Sequence, residues 1–204
     1  MTCTPQSDLF VPAEQLYRCI SADPPWEERG GGKCVRGAQR HYPLVKTKDL
    51  PAVIRGSGRF TPDPAGCHLW MWVTDNFLTD GLWLIDQLDF HYVRTFVWVK
   101  LSDGPPRNIL RTACEAARDG LQIGLGQYGR GAHELLLLST RGQAMVPPPE
   151  QRPPSVFFAP RTRHSAKPEQ SYSLIEQVSP GPRLELFARS GREGWDAWGN
   201  EVGQ

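Results

Sequence analysis

Short apolar runs along the 204-residue chain predict the strands of a buried sheet. Each run carries few polar residues and ends at a loop or a predicted helix. The runs cover residues 19–22, 68–73, 92–99, 135–138 and 184–187. No internal repeat accompanies them.

A helix is predicted between the second and third of these runs. Thr74 or Asp75 can cap its first turn. Its apolar positions recur at helical spacing, at Leu78, Leu82, Ile85 and Leu88. Strand, helix and strand in this order form a βαβ unit, and such units build parallel sheets covered by helices. The expected fold class is therefore α/β, in one domain over residues 1–204.

Two long loops and a second helix are predicted in the later part of the chain. Residues 102–131 are irregular and rich in glycine and arginine, and residues 141–163 are rich in proline. From residue 102 to residue 163, eight arginines stand against five acids, a local net charge of +3. A solvated loop surface explains this charge about as well as contact with phosphates does. The second helix is expected from Pro168, which suits a first helical position, to Val178.

The composition limits the classes of protein. Hydrophobic residues make up 39% and charged residues 22%, with a net charge of +1, which is ordinary for a globular domain. The five cysteines are scattered without ligand spacing, which favours a reducing compartment and argues against structural zinc, so no metal is predicted. No apolar run approaches the length needed to cross a membrane, and no signal peptide is visible. A cytoplasmic protein is expected.

The most informative residues follow the first predicted strand: Asp23, Pro24, Pro25 and Trp26. The carboxylate of Asp23 and the carbonyl of Pro24 can accept the two N–H groups of an exocyclic amine on a flat base. Pro25 fixes φ and keeps the turn rigid, and Trp26 offers a face on which a base can stack. The alternatives are a plain proline-rich turn or an extended ligand for an aromatic groove.

Charged and aromatic residues at the end of the last predicted strand suit a bound cofactor. Glu185, Phe187 and Arg189 lie where ligands of open α/β sheets bind, beyond the carboxyl ends of the strands. Lys167 precedes the second helix and can meet an anionic group, although a solvated lysine is the simpler interpretation. Trp195 fits a packed C-terminal hook at least as well as a binding site.

One glycine motif points to a different class of enzyme. Residues 124–129 match the dinucleotide pattern G-x-G-x-x-G. That pattern requires a strand before it and a helix after it, and a polar stretch precedes it here. A nicotinamide oxidoreductase is therefore disfavoured.

Taken together, the motifs resemble the MT-A family of S-adenosylmethionine-dependent adenine methyltransferases, in particular its short bacterial and phage members. The resemblance begins with Ile-Ser-Ala-Asp-Pro-Pro-Trp and extends over nearly the whole chain. The matching segments are residues 20–26, 41–43, 68–74, 96–100, 132–137, 164–168, 184–189 and 194–201. Several motifs in one order are far more specific than any one of them.

The resemblance implies a circularly permuted Rossmann-like methyltransferase fold with a mostly parallel central sheet flanked by helices. The cofactor would be S-adenosyl-L-methionine, and the substrate would be the 6-amino group of adenine in DNA. Asp23 and Pro24 would hold the amine within the turn that Pro25 completes. Trp26, Tyr42 and His41 would line the base pocket. The cofactor would be held by Lys167, Glu185, Phe187, Arg189, Asn200 and Glu201.

The expected contacts to the target strand lie in the two long loops, 102–131 and 141–163. Arg130, Arg161 and Arg163 are the candidate residues. Many relatives carry a bulky aromatic residue and an asparagine before residues 132–134, where this chain has Tyr-Gly-Arg-Gly. A full target-recognition domain is hard to fit into so short a chain, so a homodimer or another second subunit could complete it. The alternatives are methylation of RNA, methylation of the amine of cytosine, and an inactive nucleic-acid-binding relative.

Overall fold

In the part of the chain that the structure describes, seven strands form one sheet. The computed structural model describes residues 15–27, 44–101, 121–123, 128–161 and 166–199. The strands are β1 Cys19–Ala22, β2 Gly66–Val73, β3 His91–Leu101, β4 His133–Gly142, β5 Val156–Pro160, β6 Arg183–Leu186 and β7 Asp196–Trp198. Their order across the sheet is β5-β3-β4-β2-β1-β6-β7. All of them run in one direction except β4, so the predicted mostly parallel sheet is confirmed.

Three α-helices accompany the sheet within the described ranges. They are α1 Leu50–Gly56, α2 Leu78–Gln87 and α3 Glu169–Val178. Both predicted helices are present, and Pro168 lies at the N-cap of α3, so the helix begins one residue after the predicted start. Helix α1 was not predicted because seven residues are too few for a clear periodic pattern. Within the described ranges no helix combines the length and the apolarity that a membrane span requires.

Alternate residues of the strands build two apolar cores, one on each face of the sheet. On the first face, β1 and β2 pack against α1 and α2 through residues that include Ile20, Leu69, Met71, Leu50, Ile54, Leu84, Ile85 and Leu88. On the second face, the sheet packs against α3 through residues that include Trp70, Trp72, Phe96, Trp98, Leu174, Ile175 and Val178. The central strands are therefore covered on both faces, which explains their nearly continuous apolar sequences.

The prediction for α2 was wrong in two details. Leu82 is 36% exposed, whereas Gly81 is buried. Because Gly81 has no side chain, the helix approaches Val73 closely and turns Leu82 away from the sheet. Thr74 precedes a 3₁₀ turn, Asp75–Phe77, and makes no capping hydrogen bond through its side chain.

The predicted βαβ unit is present, and a further strand is inserted between its two strands. Strands β2 and β3 run in the same direction, but β4 lies between them and pairs antiparallel with both. Its sequence could not reveal this direction, because a fully buried strand has the same apolar pattern in either orientation. The reversal brings the start of β4 to the edge of the sheet where β1, β2 and β3 end.

The predicted loop 141–163 contains regular structure at both ends. Strand β4 continues to Gly142, and Val156–Pro160 forms β5 at the sheet edge, parallel to β3. This short strand was not predicted because the prolines around it indicate a loop. An edge strand tolerates its terminal proline because one side of its backbone needs no ladder partner.

The close packing of Gly81 gives a stability prediction. A Cβ at this position would lie 2.5 Å from Val73 Cγ1, which is buried, whereas a Cβ on Gly56 at the end of α1 would meet nothing within 4 Å. Overpacking costs about 1–3 kcal/mol, and replacing a helical glycine recovers up to about 1 kcal/mol. We expect Gly81→Ala to be less stable than Gly56→Ala by about 1–3 kcal/mol in urea unfolding. Equal stabilities would show that α2 does not need this close approach.

Candidate active site

The predicted catalytic turn lies at the carboxyl end of β1, near the middle of the sheet. Asp23 is the first residue after β1. The antiparallel direction of β4 places Glu134, its second residue, at the same edge, and Lys100 lies near the end of the neighbouring strand β3. Lys167 lies just before α3 and completes the group. Four charged side chains from four separate segments therefore meet beneath the start of α3.

These four residues form a continuous charged network. Lys167 Nζ lies 3.1 Å from Asp23 Oδ1 and 2.8 Å from Glu134 Oε2. The other oxygen of Glu134, Oε1, lies 2.7 Å from Lys100 Nζ. Lys167 Nζ also stands 4.7 Å from the centre of the Trp72 ring, at cation–π distance. Two acids and two lysines balance in charge, and each of these partly buried lysines has at least one carboxylate partner.

Burial and the shared lysine act differently on the two acids. Burial raises the pKa of Glu134, but Lys167 and Lys100 outweigh it and hold that pKa at about 2. Burial likewise raises the pKa of Asp23, which Lys167 opposes and the nearby Glu134 reinforces, and the net direction is upward. Burial lowers the pKa of Lys167, yet Asp23 and Glu134 together raise it above its usual value. Glu134 is therefore a fixed anion, whereas Asp23 is the acid whose charge is more easily changed.

Hydrogen bonds fix the shape of the Asp-Pro-Pro-Trp turn. The carbonyl of Pro24 accepts the backbone N–H of Trp26 at 2.9 Å, and the carbonyl of Pro25 accepts that of Val45 at 2.9 Å. A carbonyl oxygen has two lone pairs, so the oxygen of Pro24 keeps capacity for a second donor. Because these bonds are made by the backbone, the turn does not depend on the carboxylate of Asp23 for its shape.

Trp26 is held on both its ring and its nitrogen. Its ring stacks on Phe77, with 5.5 Å between ring centres and 16° between planes. Its Nε1–H donates to the carbonyl of Trp72 at 3.2 Å. One face of the indole is thus occupied by Phe77, and its predicted role in stacking a base would use the opposite face.

A cavity of about 460 Å³ opens beside Asp23 beyond the ends of β1 and β6. The predicted cofactor residues Lys167, Glu185, Phe187 and Arg189 all line it. It is also lined by residues without a predicted role, namely Ala166, Tyr172, Ser190, Gly191, Arg192 and Glu193. The structure therefore gathers the predicted catalytic acid and four predicted cofactor residues around one space.

The backbone beside this cavity is tightly constrained. Phe187 has a φ of +61°, a conformation that few residues with a side chain adopt. Its ring lies edge-on to Trp198 at 5.4 Å, and a Cβ on Gly199 would overlap the backbone of Ala188. Such constrained backbone is common at ligand sites, because packing elsewhere holds it in place.

The remaining predicted site residues are distributed differently. His41, Tyr42, Arg163, Asn200 and Glu201 lie outside the described residues. Arg130 is exposed just before β4, and Arg161 is half-buried just after β5. The strand directions place both arginines at the same edge of the sheet as Asp23.

Trp195 belongs to the second core, as the packed-hook interpretation predicts. It is 7% exposed, and its Nε1–H donates to Glu176 Oε1 at 2.7 Å. Its ring lies edge-on to Tyr172, 5.8 Å between centres. Trp195 therefore supports the cavity wall from behind.

Sequence reasoning did not assign a role to Glu134, Lys100, Tyr172 or Arg192. Glu134 and Lys100 belong to segments that carry the family resemblance. An ionisable residue inside an apolar strand also indicates a buried ion pair, because burial of a charge requires a partner. Tyr172 and Arg192 gave no comparable signal. Tyr172 lies on α3 and Arg192 lies in the polar turn after β6, and only the folded chain brings them together at the cavity.

The fold and the cavity define a class of protein. A mostly parallel sheet flanked by helices, with a polar cavity beyond the carboxyl ends of its central strands, is the arrangement of Rossmann-like enzymes, including methyltransferases. The sequence matches the MT-A70 family over residues 17–201, and the chain belongs to that family of methyltransferases.

Individual relatives are similar at modest identity. The type II methyltransferase M.MunI of a Mycoplasma species is 27% identical over 207 residues, covering 91% of this chain and 78% of that protein. The N(6)-adenine-specific methyltransferase METTL4 of Mus musculus is 26% identical, covering 92% of this chain and 38% of METTL4. The N6-methyladenosine RNA methyltransferase MTA1 of Cryphonectria parasitica is 25% identical, covering 98% of this chain and 56% of MTA1. The chain thus spans about half or less of these two eukaryotic relatives.

Proposed function

We propose that the protein uses S-adenosyl-L-methionine to methylate the 6-amino group of adenine in DNA. The observation that carries the proposal is the position of Asp23, which is held by Lys167 at one side of a cavity that Glu185 borders. This position would put an acceptor for the amine next to the cofactor.

The residues around the cavity fit this cofactor chemically. The carboxylate of Glu185 is suited to accept hydrogen bonds from ribose hydroxyls. Arg189 and Lys167 are cations suited to the carboxylate of the amino-acid end, and the ring of Phe187 is suited to an apolar or aromatic part. When bound, S-adenosyl-L-methionine supplies an electrophilic methyl group carried by a sulfonium sulfur.

The chain's own contribution is to hold and orient the amine. Lys167 fixes Oδ1 of Asp23, which leaves Oδ2 to accept one N–H of the adenine amine. The carbonyl of Pro24 accepts the other N–H and holds the nitrogen in line with the methyl carbon. In this alignment the bound cofactor would supply its methyl group to the nitrogen, and sulfur would keep the electron pair of the broken carbon–sulfur bond. Alignment of this kind can lower a barrier by roughly 7–11 kcal/mol.

Asp23 also stabilises the positive charge that methyl transfer creates on the nitrogen. The methylated nitrogen is positive until it loses a proton, and the carboxylate of Asp23 is the anion placed to stabilise it. Burial raises the pKa of Asp23, and a raised pKa makes this carboxylate a better acceptor for that proton. Lys100 and Lys167 hold Glu134 ionised, which keeps Lys167 in position beside Asp23.

DNA is the favoured substrate and RNA the second candidate. M.MunI is named as a type II methyltransferase, and this chain covers more of its length than of METTL4 or MTA1. The name of MTA1 as an RNA methyltransferase, at similar identity, supports the alternative. Either substrate requires an unstacked adenine, which costs a few kcal/mol in a duplex and less in a single strand.

The proposal is tested by mass spectrometry of nucleosides from a host that lacks adenine methylation of its own DNA. We expect N6-methyl-2′-deoxyadenosine in DNA from cells that express the protein, and its absence with an empty vector. N6-methyladenosine gained in RNA alone would establish the RNA alternative. No methylated adenine in either nucleic acid, with the protein folded and expressed, would contradict the proposal.

A further inference from the structure

We propose that Tyr172 and Arg192 are positioning residues that hold Glu185 as an oriented carboxylate for the ribose of the cofactor. Nothing in the sequence assigned either residue a role, and both line the cavity beside Glu185. The inference rests on the proposed function, because it gives Glu185 the cofactor as its partner.

Tyr172 acts directly on Glu185. Its hydroxyl donates to Glu185 Oε1 at 2.8 Å, from α3 across to β6. This bond fixes the rotation of the carboxylate and leaves its other oxygen, Oε2, as the acceptor for the cofactor. Tyr172 is itself held from behind, where its ring meets Trp195 edge-on. The hydroxyl therefore reaches Glu185 from a ring that packing holds in one place.

Arg192 fixes the other face of Tyr172. Its guanidinium lies 3.7 Å from the centre of the Tyr172 ring, a close cation–π stack. The same guanidinium makes a two-point pair with Glu169 at the start of α3, with Nη1 and Nη2 each 2.6 Å from a carboxylate oxygen. A two-point pair gives geometric control that a single contact lacks. Arg192 thus ties the turn after β6 to α3 and holds Tyr172 between itself and Trp195.

The groups around Glu185, including the oriented Tyr172 hydroxyl, determine the pH at which its carboxylate is ionised. Burial is the main influence on its pKa and raises it, and the Tyr172 hydroxyl, which donates to the carboxylate, works against burial. Arg192 and Lys167 also favour the ionised form, whereas Asp23 at the end of β1 disfavours it. The same cavity is lined by Arg189 and Glu193. A carboxylate that loses the Tyr172 donor would be protonated at a higher pH and would then accept poorly from a ribose hydroxyl.

The test is calorimetric binding of S-adenosyl-L-methionine to the full chain over a pH series from mildly acidic to neutral. We expect Tyr172→Phe to weaken binding by about tenfold, the scale expected for loss of a hydrogen bond to a charged group. We also expect the pH at which binding is half lost to move upward, because the Tyr172 donor no longer opposes burial. A purely structural role would lower the melting temperature without moving this pH.

Two further variants make the result decisive. Tyr92→Phe removes an exposed hydroxyl on β3, which bonds Thr95 away from the cavity, and should change neither affinity nor its pH dependence. Arg192→Lys keeps the charge but loses the planar two-point pair and the stack. It should therefore weaken cofactor binding severalfold. It also provides the test of the inference if Tyr172→Phe does not fold. If both site variants bind the cofactor with the affinity and the pH midpoint of the wild type, the inference is overturned and the proposed function is not. Failure of the folded wild type to bind would overturn the proposed function, and the inference with it.

Discussion

Replacement of Asp23 by asparagine is expected to lower the rate of methyl transfer by at least about a hundredfold, the scale for loss of one preorganised electrostatic partner. The asparagine keeps the size of the side chain but offers a neutral carbonyl in place of a charged acceptor. In one orientation its NH₂ group would face the substrate amine, and in either orientation the positive nitrogen of the product loses its nearest anion. Single-turnover transfer of labelled methyl to an adenine-containing oligonucleotide, at saturating cofactor, measures the effect.

The fold of this variant should be nearly unchanged. The turn is held by backbone hydrogen bonds from Trp26 to Pro24 and from Val45 to Pro25, none of which involves the Asp23 side chain. Asp86→Asn, on the exposed side of α2, is the matched control and should retain wild-type activity. Near-normal turnover by a folded Asp23→Asn protein would remove Asp23 from the chemistry.

Replacement of Lys167 by methionine is expected to damage both stability and activity. Lys167 is 11% exposed and joins Asp23 to Glu134. Its removal leaves these two neighbouring carboxylates in a network whose remaining lysine is Lys100, which contacts Glu134. Removal of one partner from a buried ion pair costs about 3–5 kcal/mol. Lys167 also opposes the effect of burial on Asp23, so the pKa of Asp23 should rise further in the variant.

The activity that remains in Lys167→Met should therefore decline at a higher pH than in the wild type. An acid with a raised pKa is protonated earlier as the pH falls, and a protonated Asp23 cannot accept the amine in the same way. Urea unfolding and a pH–rate profile measure the two effects. Lys48→Met, at an exposed lysine, should leave both unchanged. Wild-type stability and an unshifted profile in Lys167→Met would show that the network does not support Asp23.

The sequence was sufficient to predict the central strands, two helices and the position of the Asp-Pro-Pro-Trp turn after β1. The buried strands are long and apolar enough to be recognised individually, and Pro168 marks the start of α3 within one residue. Strand direction was not predictable in the same way. A covered strand such as β4 shows the same apolar run whether it is parallel or antiparallel, and the short edge strand β5 is hidden behind prolines.

This limit explains which parts of the site were missed. Asp23 and Glu185 follow or end strands that run in the expected direction, so their meeting at one edge of the sheet was predictable. Glu134 reaches that edge only because β4 is reversed. Its partner Lys100 and the Tyr172–Arg192 pair depend on contacts between segments far apart in the chain, which no local spacing encodes.

The most direct test of the central claim follows a deuterated methyl group from labelled S-adenosyl-L-methionine to an adenine-containing DNA oligonucleotide. Purified wild-type protein is incubated with both substrates, and the digested nucleosides are separated by mass. The proposed function predicts one labelled methyl group on the 6-amino nitrogen of adenine. Label on another base, or no label from a folded protein that binds the cofactor and has been offered single- and double-stranded DNA, would contradict it.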